Sequence, residues 1–89
     1  MEQRKLDLHQ EVEIGYQTEV LLEKLKPYFR TMESQLIKGI RQCSVADVDA
    51  LHNIKLQLHA LDKLQLNLQS IIDTGKLANS ELKDGTNGT

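Results

Sequence analysis

Between Ser44 and Asp73 the chain carries more leucine along one helix than a single neighbouring helix can cover. Leu51, Ile54, Leu58, Leu61, Leu68 and Ile72 follow alternating three- and four-residue steps, interrupted where Gln65 takes a core-type position. Val48, Leu56, Leu64, Leu66 and Ile71 fall off that stripe. A helix with so wide an apolar arc is buried on more than one side. The upstream half offers one comparable stripe, so the pattern implies partners.

That upstream stripe reads Ile14, Leu21, Leu22, Leu25, Phe29, Met32, Leu36, Ile40 and Cys43. At about 100° per residue these positions cluster within roughly a third of the helical circumference. Pro27 lies inside the run but nearly opposite the stripe, where it forgoes one backbone bond on the solvent side and bends the helix around its apolar face. The spacing predicts one kinked helix over residues 5–42; the alternative is two helices, with Pro27 in the first turn of the second. After a break at Gln42-Cys43-Ser44, Ser44 offers an N-cap, with Asp47 completing a variant capping box. Asp47 and Asp49 also suit the positive end of the helix dipole. The second helix is expected over 45–73, closed by a left-handed stop at Thr74-Gly75. Leu56-Gln57-Leu58 and Leu64-Gln65-Leu66-Asn67-Leu68 alternate as a strand would, but Leu and Gln are helix formers and the flanks keep helical spacing.

The expected fold is therefore all-α, an antiparallel helical hairpin completed to a bundle by oligomerisation or docking. A tip at Cys43-Ser44 makes contacting residues sum to about 88, placing Phe29 near Leu58 to Leu61 and leaving residues before 13 with nothing opposite. Residues 1–78 form the hairpin with an N-terminal helical overhang, and the polar segment 79–89 is expected to be disordered.

With 89 residues there is room for one small core, so the chain gains from association. Residues 1–43 hold seven basic and seven acidic side chains, and residues 44–89 hold four and six; without a basic block, the case for nucleic-acid binding is weak. A single cysteine, Cys43, excludes an internal disulfide and fits a reducing compartment. Charged residues alternate with apolar ones from the start, unlike a signal peptide, and no apolar run is long enough to span a bilayer. The expectation is a soluble protein, in the cytoplasm of its host cell or within a virion.

No catalytic constellation emerges. His52 and His59 lie seven residues apart, about 10 Å along a helix, too far to share one metal ion. His9 is remote from both, and all three read as solvated. Glu19, Glu23, Glu33, Asp49 and Asp62 are scattered without an acid/base pair. Cys43 has Arg41 nearby but no histidine, and reads as a packed loop residue. Gly75-Lys76 lacks the rest of a phosphate loop, and Asn87-Gly88-Thr89 matches a glycosylation acceptor by chance. A DNA-binding helix-turn-helix requires short helices near right angles, which this pattern does not supply. Gln65 is the one polar residue of interest: a buried amide there sets register or oligomer state, or else the helix rotates to expose it.

From Tyr28-Phe29-Arg30 to Ile71-Ile72-Asp73-Thr74-Gly75-Lys76-Leu77-Ala78 the chain resembles short helical-hairpin proteins of tailed bacteriophages, encoded near head and packaging genes. The resemblance spans residues 28–78 and implies a virion or assembly component with no catalytic residues.

The resulting expectation is a non-enzymatic assembly protein, without cofactor or metal, that binds itself or a larger assembly such as a phage particle. Leu56, Leu64, Leu66 and Ile71 are expected to face the partner, and Gln65 to set register. The alternative is a nucleic-acid or DNA-packaging accessory contacting phosphate through Arg4, Lys5, Lys24, Lys26 and Arg30. A third is an adaptor that grips another protein's helix in a groove.

Overall fold

The computed structural model describes residues 2–87, and every described residue outside one short turn is helical. Helix α1 spans Glu2–Gln42 and helix α2 spans Val48–Asn87. The chain is an all-α helical hairpin, as the periodicity implied. Helix α1 passes through Pro27 without a break, and the proline is exposed. A missing backbone donor there falls on the side where water can substitute.

The turn differs from expectation. Asp47, not Ser44, caps α2: the Ala50 amide donates to Asp47 Oδ1 at 3.1 Å and the Leu51 amide to the Asp47 carbonyl at 3.1 Å. Ser44 instead organises the turn, its hydroxyl accepting from the Ala46 amide at 3.2 Å and its carbonyl from the Asp47 amide at 3.0 Å. Both residue types cap helices well, and with Ser44 bonded within the turn the helix starts three residues later.

The far end of α2 differs more. Thr74-Gly75 does not stop the helix, and no described glycine has a positive φ. The helix runs past Asp73 to Asn87, so most of the segment expected to be disordered is helical; Gly88 and Thr89 lie outside the described residues. It continues because its covered stripe continues: Ile72, Gly75 and Ala78 are buried and Leu82 is half-buried.

The chain packs as two units. The terminal unit joins the first 23 residues to those from Asn67 onward. Here Leu8, Gly15 and Leu22 of α1 are buried at seven-residue intervals, against Ile72, Gly75 and Ala78 of α2. Gly15 and Gly75 meet backbone to backbone: a Cβ built on Gly15 would stand 2.8 Å from the Gly75 Cα and 3.3 Å from the Ile71 carbonyl oxygen. Arg4 and Glu81 form an ion pair at 2.8 Å. The residues before 13 are therefore not an overhang, because the longer α2 provides their counterpart. These contacts set low numbers on α1 against high numbers on α2, the antiparallel arrangement, and the glycine pair sums to 90.

The turn unit comprises Lys24–Leu66. Phe29 and Leu61 are buried, and Leu25, Leu36, Leu51, Ile54 and Leu58 are half-buried. A Cβ on Gly39 would lie 3.3 Å from Ile54 Cδ1, so α1 and α2 are antiparallel here too. On α2 of the turn unit the covered positions alternate in steps of three and four, the 3.5-residue period of coiled-coil pairs, whereas in the terminal unit Ile72, Gly75 and Ala78 follow one another by threes. The core is thin, with Leu8, Leu22, Phe29, Leu61, Ile72 and Ala78 as its buried apolar members.

Candidate functional site

In α1 of the terminal unit the buried residues recur every seven positions, which fixes the side chains at its margin. In α1 of the terminal unit, Ile14 directly precedes buried Gly15 and Leu21 directly precedes buried Leu22; in α2, Ile71 directly precedes buried Ile72. In an antiparallel pair these preceding positions look out on the same side. The Gly15–Gly75 approach draws that side together, since the Ile71 carbonyl lies against Gly15, next to Ile14 in the chain. Ile14, Leu21 and Ile71 remain 53%, 49% and 39% exposed. The neighbouring helical positions on this flank are Gln17, Asn67 and Thr74, so the strip is uncharged only between Asp7, Glu11 and the Arg4–Glu81 pair at one end and exposed Lys24, one turn past Leu21, at the other.

The opposite flank of the same unit is different. A shallow groove there is lined by Val12, Tyr16 and Glu19 of α1 and by Ile72, Lys76 and Asn79 of α2, above the two glycines. Glu19 and Lys76 are both exposed charges. The unit thus presents a short uncharged apolar stretch around Ile14, Leu21 and Ile71 on one flank, and Glu19 and Lys76 beside the groove on the other.

Ile14 and Leu21 were expected within the covered stripe of α1, and both are exposed, as are Met32 and Ile40. The residues covered in their place in the terminal unit, Leu8 and Gly15, were absent from that stripe. A third of a circumference admits the marginal positions as readily as the central ones, whereas a strict seven-residue recurrence separates them.

The four residues expected to face a partner are all exposed: Leu56 by 53%, Leu64 by 47%, Leu66 by 70% and Ile71 by 39%. They are not equivalent. Ile71 lies on the flank just described. Leu64, in the turn unit, directly precedes half-buried Gln65, and the equivalent position on α1 of that unit is exposed Tyr28, directly before buried Phe29. Leu56 and Leu66 lie on the outer side of α2, away from its covered stripe, with Lys63 and Asp62 beside Leu66.

Gln65 occupies the stripe and is half-buried, so neither full burial nor rotation to solvent describes it. Its Nε2 donates to the Leu61 carbonyl of its own helix at 3.5 Å.

Other chemistry is sparse. Among the described residues no three His, Cys, Asp or Glu side chains come together as a metal site, and no helix is long and apolar enough to cross a membrane. His9, His52 and His59 are exposed. Cys43 is half-buried, its Sγ 3.9 Å from the Asp47 carbonyl oxygen. Of the basic residues considered for phosphate contact, Arg4 is engaged by Glu81, while Lys5, Lys24 and Arg30 are exposed along α1. No protein-family model, curated protein or solved structure matches the chain.

Proposed function

We propose that this is a non-enzymatic helical assembly protein that works by burying its uncovered apolar side chains against a second copy of itself, closing a four-helix bundle. One observation carries the reading. Large apolar side chains stand open to water in both units: Ile14, Leu21, Tyr28, Leu56, Leu64 and Leu66 are each about half exposed or more. Covering such residues removes apolar surface from water at about 25 cal/mol per Å².

The resemblance of residues 28–78 to tailed-phage hairpin proteins supports a place for this assembly in a virion or its construction. Sedimentation of the purified full chain across a concentration series tests the self-association itself. A mass that rises to the dimer supports the reading, and a constant monomer mass overturns it.

A further inference from the structure

We infer that the turn unit binds the phosphate backbone of a nucleic-acid duplex through the outward face of α1, with Lys24, Arg30, Lys38 and Arg41 as its contacts. The inference is independent of self-association, since one copy carries the whole face.

Charge divides along α1 where the two units divide. Residues 1–23 hold two basic and six acidic side chains, and residues 24–43 hold five basic and one acidic, a split that the even totals for 1–43 conceal. At about 100° per residue, Lys24, Arg30, Lys38 and Arg41 each lie about 100° or more around the helix from buried Phe29, whereas Glu33 lies about 40° from it. The four cations therefore share the side of α1 turned away from α2. Glu23 marks the end of this face, and no carboxylate lies on it from Lys24 to Gln42. All four are exposed, and among the described residues none of them is held in an ion pair, unlike Arg4. Lys24 to Arg41 covers about 25 Å of helix. Between Arg30 and Lys38 a shallow hollow is lined by Thr31, Ser34 and Gln35. The Thr31 hydroxyl donates to the Pro27 carbonyl at 3.0 Å, which leaves Ser34 and Gln35 as the neutral donors.

The row selects the anion. A duplex carries one charge per about 1.7 Å of its axis, so phosphates face a straight line of cations along its whole length. Serine and glutamine between the cations suit phosphate oxygens, which accept from neutral and charged donors alike. A second copy offers no matching row. In its terminal unit Asp7, Glu13 and Glu19 lie on different sides of α1, and on α2 Lys76 and Lys83 interleave with Asp73, Glu81 and Asp84. An anionic bilayer favours apolar side chains beside the cations, and within the arc bounded by Arg30 and Lys24 the only apolar residue is Pro27.

The test titrates the full chain into a fluorescein-labelled DNA duplex of about 24 base pairs and reads anisotropy between about 50 and 200 mM salt. The expected result is a complex that forms equally on unrelated sequences and weakens with salt at a log–log slope of about −3 to −4. Lys24→Gln, Arg30→Gln, Lys38→Gln and Arg41→Gln together should weaken it about 30-fold or more at the lowest salt. Lys55→Gln with Lys63→Gln, on α2 of the same unit, should leave it within about twofold. No complex at about 50 mM salt overturns the inference, as does an equal loss from the Lys55 and Lys63 variant. A fourfold variant that keeps its DNA affinity but sediments at a lower mass than the wild type overturns it in favour of a second copy on this face. Should circular dichroism show that the fourfold variant loses helix, Arg30→Gln with Lys38→Gln decides: a slope shallower by about 2 supports the inference, and an unchanged slope overturns it.

Discussion

Gly15 and Gly75 stand so close that neither has room for a methyl group: a Cβ on Gly15 falls 2.8 Å from the Gly75 Cα, and a Cβ on Gly75 falls 2.9 Å from the Glu11 carbonyl oxygen. The obstructing atoms are backbone, so accommodating them requires the helices to move apart. Alanine otherwise favours a helix over glycine by about 1 kcal/mol. We expect the steric term to win, with Gly15→Ala and Gly75→Ala each destabilising by about 1–3 kcal/mol. Thermal unfolding at matched protein concentration checks this, and an unchanged or raised midpoint for both contradicts the packing.

Gly39→Ala provides the contrast. The nearest atom to its Cβ is the flexible tip of the Ile54 side chain, at 3.3 Å, and Ile54 is half-buried. The propensity gain then prevails, and thermal unfolding should show stabilisation of up to about 1 kcal/mol.

The capping assignment separates Asp47 from Ser44. Loss of the Asp47 side chain leaves the Ala50 amide without its acceptor, so Asp47→Ala should cost about 1 kcal/mol in denaturant unfolding. Ser44→Ala removes an acceptor within an exposed turn and should cost less than about half that. Equal losses would contradict a cap at Asp47.

Ending the chain at Asp73 tests the length of α2. Without Gly75 and Glu81, Gly15 and Arg4 lose their partners on α2, so the early residues of α1 should lose amide-exchange protection. Protection retained from Leu8 to Gly15 would mean that this part of α1 is stable without the end of α2.

Gln65→Leu should raise stability by about 1 kcal/mol, because the amide bonds within its own helix and its removal strands no partner across the pair. Thermal unfolding reads this gain. A register-setting role for Gln65 further requires that the variant change oligomer size, visible by light scattering.

How much of this was legible in the sequence depended on side-chain size. The stripe from Leu51 to Ile72 was readable because most covered positions hold large aliphatics at helical steps. Beyond Asp73 the covered residues are Gly75 and Ala78, whose role is close approach rather than volume, and a glycine after a long helix reads as a stop. The same blindness hid Gly15 as the counterpart of Gly75. Pro27 was read correctly as outward because its phase within the stripe is independent of its neighbours' size. Ser44 and Asp47 have equal capping chemistry, and the bonds closing the turn decide between them. Of the residues expected to face a partner, Leu64 and Ile71 lie beside the covered stripe, but distinguishing them from Leu56 and Leu66 required the antiparallel register.

If a second copy covers the apolar side chains that the hairpin leaves open, sedimentation equilibrium of the wild-type chain above about 10 µM gives a mass of twice 10.1 kDa that falls on dilution. A single species of 10.1 kDa up to about 1 mM rules that self-association out.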